Sequence, residues 1–182
     1  MATEYRWQSE RELLESEEES MPTVEHGIIC SNINFYLTGF LKGKGLGRAL
    51  DSSVEYRFLE TPKGKTKPCF PDLSFIGQER LPTRMRSYPE IAPDLAVEVS
   101  SPSDREFEIE DKVKEYQKAG VKLVWTVHTY GRRVDVYRLA TGLLPQVIGE
   151  TGELDGEDVI PGFKLKVSDI FDYPPEEKIE AI

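Results

Sequence analysis

The stretch Pro93-Asp94-Leu95-Ala96-Val97-Glu98-Val99-Ser100 frames the fold. Leu95, Val97 and Val99 alternate with Ala96, Glu98 and Ser100, the two-residue period of a strand. Just downstream, Ser103-Asp104-Arg105-Glu106 fits a helix capping box behind Pro102, and Gly120 offers a helix end. Ile109, Val113 and Tyr116 form the core-facing stripe of that helix. Lys112 falls three residues after Ile109 and four before Tyr116, on or beside the stripe.

Upstream, residues 70–76 read as a strand bounded by Pro68 and Gly77, with Asp72 after Pro71 at its start. Residues 48–59 hold one or two further strands, ending before Thr61-Pro62-Lys63-Gly64. Residues 24–42 read as a helix, because Ile29, Ile33, Tyr36 and Phe40 recur at helical spacing and Ile28, Leu37 and Leu41 widen the stripe. Thr23 is its expected N-cap and Gly43 or Gly45 its stop. Residues 78–92, rich in Arg and Pro, form a loop long enough to be functional. Downstream, residues 121–128 and 133–139 read as paired strands turning near Tyr130-Gly131, then comes a short strand at 146–148 and a loop-rich end. Helix, strands, helix, strands describes a mixed α/β or α+β domain around one sheet.

The chain of 182 residues suffices for one sizeable core, with 38% hydrophobic and 31% charged residues. We expect an acidic N-terminal extension over residues 1–20, a folded domain over 21–173 and an acidic tail over 174–182. Residues 1–7 lack a secretory pattern and no apolar run nears the ~20 residues of a membrane span. With only Cys30 and Cys69 and no histidine pair at ligand spacing, neither a disulfide framework nor a zinc site is expected, and a cytoplasmic location is. His26 and His128 read as structural.

The net charge of −10 is unfavourable for a protein that binds nucleic acid. Much of the acid lies near the ends, however. Between Lys44 and Arg86 nine basic residues face five acids, a local balance of +4.

The chemistry rests on Asp72, Glu98 and Lys112. A glutamate inside an apolar strand is costly to bury without a partner. Asp94 shares its parity but lies roughly 13 Å back at strand rise, too far to share an ion. Asp72 could meet Glu98 if the two strands are neighbours. Two carboxylates with a backbone carbonyl and waters suit the octahedral oxygen shell of Mg²⁺ or Mn²⁺. Such an ion, with Lys112 to orient water or steady phosphate charge, meets the needs of phosphodiester hydrolysis. The plainer readings are a strand-start or turn aspartate at 72 and a lysine snorkelling from the core edge at 112.

Pro71-Asp72, the run from Pro93 to Ser103, Asp111-Lys112 with Tyr116, Ala119-Gly120-Val121, Trp125, Pro161-Gly162-Phe163 and Ile170-Phe171 together resemble the putative restriction endonuclease family of the PD-(D/E)XK nuclease superfamily. The resemblance covers the chain from about Met21. It implies a restriction-endonuclease-like central mixed β-sheet flanked by helices, with Asp72, Glu98 and the backbone carbonyl of Val99 as metal ligands and DNA as substrate. The lysine that the superfamily carries two residues after the glutamate is Ser100 here, and Lys112 on the following helix takes its place. Glu25, beside His26, resembles an auxiliary acid, or is first-turn decoration favoured by the helix dipole. A homodimer would supply two sites for the two strands of a duplex, although the sequence marks no interface. The alternative is a catalytically lapsed protein on the same scaffold, binding DNA or another protein.

Overall fold

The structure is a computed structural model that describes residues 22–60, 64–100 and 106–173. The expected terminal extensions and most of the capping box at 103–106 lie outside the described residues. Helix α1 spans Val24–Leu41, and the Thr23 hydroxyl caps it by accepting from the His26 amide at 3.2 Å. Ile29, Ile33, Leu37 and Leu41 form its buried line. Each such side chain contributes about 1.5–3 kcal/mol on burial. The stripe is therefore rotated from the expected one: Tyr36 is 39% exposed and Phe40 only partly buried. A strict four-residue spacing drifts round the helix, and the sequence offered two adjacent apolar lines.

Strands β1 (Gly47–Asp51) and β4 (Leu73–Gly77) pair antiparallel, and β4 pairs antiparallel with β5 (Leu95–Ser100). Helix α2 (Glu106–Lys118) then carries the chain to β6 (Leu123–His128), which lies parallel to β5. β7 (Arg133–Arg138) and β8 (Gln146–Gly149) complete a mixed sheet of order β1-β4-β5-β6-β7-β8. A hairpin of β2 (Tyr56–Glu60) and β3 (Thr66–Cys69) and a pair of β9 (Glu153–Asp155) and β10 (Lys164–Lys166) lie outside that sheet. A short helix, α3 (Val167–Ile170), follows β10.

Two differences from the expected strands have local causes. The strand expected over 70–76 starts only at Leu73, and a separate strand, β3, precedes it through Pro68, with Phe70-Pro71-Asp72 between them and Asp72 in a bend. Pro71 has no amide to donate and restricts Phe70, so the ladder breaks there. β9 and β10 fell in a segment read as loop, because three-residue strands around Gly156, Pro161 and Gly162 carry no readable alternation.

The sheet has two covered faces. Leu73, Phe75, Leu95, Val97, Val99, Trp125 and Val136 pack toward α1 and the C-terminal segment, where Trp125 stacks on Phe163 at 6.3 Å between centroids. Ala96, Val124 and Tyr137 meet Val113 and Tyr116 of α2. The α2 end is set by Gly120 at φ +81°, with Val121 N–H bonded to the Tyr116 carbonyl and Gly120 N–H to that of Gln117. That pair of bonds is a Schellman stop. The closing segment is tied back to α1: the Asn32 side chain donates to the carbonyls of Ile170 (3.1 Å) and Asp172 (3.3 Å), and the Tyr173 hydroxyl donates to Glu25.

Candidate active site

Glu98 projects from β5 on the α2 face, in register with Thr126 of β6, itself opposite Asp135 of β7. This polar row crosses an otherwise apolar sheet face. Glu98 is only 6% exposed. Its Oε2 accepts from Lys112 Nζ at 2.9 Å, and its Oε1 accepts from the Tyr116 hydroxyl. Lys112 and Tyr116 lie four apart on α2 and so share its inward side. Burial pushes the Glu98 carboxyl above its ordinary range, against the pull of the Lys112 ammonium and the Tyr116 hydroxyl, and the nearby Asp72 charge adds to the rise. Burial and the Glu98 charge likewise raise the Tyr116 phenol well above its usual value. Glu98, Lys112 and Tyr116 line a cleft of about 240 Å³ with Lys67, Phe70 and Glu115.

Asp72 reaches the same end of the sheet from the bend before β4. Its Oδ2 accepts the Val99 amide at 2.7 Å and lies 3.3 Å from His26 Nε2. The imidazole's other nitrogen sits 3.7 Å from Cys30 Sγ. Hydrogen bonds to Asp72 and then to Cys30 outweigh burial and lift His26 to about 10. At neutral pH His26 therefore faces Asp72 as a cation. The histidine read as structural has an acid partner 46 residues away in the chain, and only the fold brings it there. Glu25, one residue before His26, is engaged by Tyr173. The neighbours of Asp72 and Glu98 that the sequence did not pair with them are His26, Cys30 and Tyr116. Their one sequence signal is helical spacing: His26 and Cys30, like Lys112 and Tyr116, stand four apart.

Asp94 is a structural anchor. It is 2% exposed, accepts the Gly77 amide at 2.9 Å, and pairs with Arg80 at 2.7 Å and Lys122 at 2.8 Å. Burial alone would raise its carboxyl, but Lys122, the Gly77 amide and Arg80 together hold it below the ordinary range. A depressed acid stabilises the fold above its unfolded pKa of about 3.9, and that contribution is lost as pH falls through the lower folded value. Asp94→Asn should therefore cost about 2 kcal/mol at pH 7, lowering Tm by about 4–8 °C. The deficit should shrink in acid. Thermal melts of both proteins at pH 7 and pH 3 check this, and an equal deficit at the two pH values would refute it.

A larger cleft of about 350 Å³ lies further along the α2 face, lined by His128, Asp135, Tyr137 and Leu144. His128 Nε2 sits 3.0 Å from Asp135 there. None of Asp72, Glu98 and Lys112 lines it.

A mixed sheet covered by helices on both faces is the architecture expected from the sequence. The chain belongs to the Uma2 family, described as putative restriction endonucleases, whose sequence profile matches residues 9–168. The resemblance read from the motifs is thereby borne out. Among solved structures, a putative nuclease belonging to DUF820 from Anabaena variabilis ATCC 29413 superposes with a TM-score of 0.70 at 21% identity, over 83% of this chain and 82% of that one. This likeness confirms the fold. A cryo-electron-microscopy structure of a DrdV–DNA complex gives a TM-score of 0.39 at 13% identity, over 79% of this chain and 11% of the other. No curated protein matches the chain. Among the described residues no helix is long and apolar enough to cross a membrane.

Proposed function

We propose that this protein is a metal-dependent endonuclease that hydrolyses DNA phosphodiester bonds. The observation that carries the reading is the Lys112–Glu98 ion pair, 2.9 Å long, set where a buried carboxylate meets an open cleft. Asp72 and Glu98 would hold Mg²⁺ or Mn²⁺, with the Val99 carbonyl as a third oxygen donor. The donor set fits a hard divalent cation. The Asp72 charge is felt at Glu98, and in a strand the carbonyl of Val99 projects to the same edge as the amide that bonds Asp72. When bound, such an ion supplies Lewis acidity at the phosphate.

The protein's own groups then have distinct tasks. Tyr116 fixes the Glu98 rotamer by donating to Oε1, leaving Oε2 for the cleft side. Lys112 is more than half exposed, so its ammonium can leave Glu98 for a phosphate oxygen and steady the charge that develops there. The Val99 amide holds the Asp72 carboxylate in one orientation. One observation favours the alternative of a lapsed nuclease acting as a DNA- or protein-binding module: both Glu98 oxygens are occupied by Lys112 and Tyr116, and Asp72 is neutralised by His26.

The deciding experiment is plasmid nicking in Mg²⁺ by the wild type and by Lys112→Ala, with Mn²⁺ calorimetry on each. The nuclease reading expects a rate loss of about 10²–10³-fold in the variant with metal binding retained. A wild type that binds Mn²⁺ weakly or not at all and does not nick would move the binding-module reading to first place.

A further inference from the structure

His26, Cys30 and Asp72 make a second constellation that shares Asp72. His26 and Cys30 occupy one face of the first two turns of α1, and Asp72 approaches from the bend before β4. One imidazole nitrogen, the thiol sulfur and one carboxylate oxygen all lie within 4.8 Å of one another. All three residues are partly buried, neither sealed in the core nor loose in solvent. Bond lengths of about 2.0–2.1 Å to nitrogen, 2.0–2.2 Å to oxygen and 2.3 Å to sulfur put the edges of a tetrahedral site at about 3.3–3.7 Å. The Nε2–Oδ2 separation is already 3.3 Å, and the sulfur, now 3.7 Å from the other imidazole nitrogen, lies within 4.8 Å of the remaining donors and has to be drawn closer to complete the site.

From this geometry we infer that His26, Cys30 and Asp72 form a site for a thiophilic divalent metal of the zinc class, distinct from the Mg²⁺ site proposed above. As the metal binds, the His26 imidazolium and the Cys30 thiol each release a proton to solvent, and the resulting nitrogen, thiolate and carboxylate suit Zn²⁺ or Co²⁺, whereas Mg²⁺ prefers oxygen alone. Three protein ligands leave a fourth position open to water. The Asp72 carboxylate is fixed by the Val99 amide, the kind of outer hydrogen bond that orients a ligand. The site stands independently of the nuclease reading, with which it shares Asp72.

The test uses Co²⁺ as a spectroscopic probe, titrated into the reduced full chain. The expected result is a near-ultraviolet thiolate-to-cobalt charge-transfer band with visible bands of tetrahedral intensity, saturating at one equivalent. Cys30→Ser should abolish the thiolate band, and His26→Gln should weaken Co²⁺ binding at least tenfold. Cys69→Ser should keep the spectrum, since Cys69 lies on the other face of the sheet beside Tyr116. Circular dichroism of each variant confirms that it is folded. Absence of the thiolate band in the wild type overturns the site, as does a band that survives Cys30→Ser and disappears in Cys69→Ser. Nicking by wild type in Mg²⁺ alone reports on the nuclease reading separately: cobalt coordination without nicking removes that reading and keeps this one, and nicking without the band does the reverse.

Discussion

Glu98→Gln is expected to yield a folded protein whose Mg²⁺-dependent DNA cleavage falls by at least about 10³-fold, the equivalent of about 4 kcal/mol of lost transition-state stabilisation. Glutamine keeps the shape of Glu98 and still offers an oxygen to the Tyr116 hydroxyl, so the packing of α2 on the sheet survives. What it removes is the negative charge that would hold the cation, and the counter-charge that now receives Lys112 at 2.9 Å. Mn²⁺ calorimetry should show binding in the wild type and its loss in the variant, with nicking rates falling in parallel. Because Glu98 is nearly fully buried, a drop in Tm would betray a structural cause; the isosteric change is chosen to keep that drop small. A variant that cleaves within tenfold of the wild type would remove Glu98 from the mechanism.

The largest stability effect expected from a single methyl group is at Gly47. Its φ is +145°, a conformation that side-chain-bearing residues rarely adopt. A Cβ there would stand 2.2 Å from the Ile76 carbonyl oxygen and 2.7 Å from the Phe75 ring. Neither neighbour can yield: the carbonyl belongs to the paired strand β4, and Phe75 is fully buried. Backbone strain of about 1–3 kcal/mol and overpacking of similar size add to about 4 kcal/mol. Gly47→Ala should thus lower Tm by about 8–16 °C, read by calorimetry. A shift under 3 °C would mean that β1 slides along β4 to make room.

The fold was legible because its central elements are strongly patterned. The 95–100 alternation, the Gly120 stop and the Trp125 strand each carry their own local signal, and the structure places them as β5, the end of α2 and β6. The site was half legible. Glu98 announced itself as an acid in an apolar strand, and Lys112 by its place beside the stripe of α2. The fold brings those two into one ion pair. Asp72, in contrast, is set by a bend, and its hydrogen bond to the Val99 amide spans 27 residues. His26 and Cys30 had only a spacing of four to offer, which core and surface residues share. Their meaning depends on which segment faces α1, a tertiary fact no local pattern encodes. The same holds for Asp94, whose partners Gly77 and Arg80 come from one segment and Lys122 from another.

The ties between α1 and residues 170–173 bear on local opening. Asn32 and Glu25 are held by a segment about 140 residues later in the chain, while His26 and Cys30 sit between them on the same turns. Arg132 fastens that segment from the sheet side, donating to the Phe171 carbonyl at 2.9 Å and lying 4.9 Å from the Phe171 ring centroid. Amide protons in the first turns of α1 should therefore exchange with solvent in one cooperative unit with those around Phe171, separately from the β5–α2–β6 core. Asp72 would lose its helical partner whenever that unit opens, while Glu98 and Lys112, carried by the core, would stay in place.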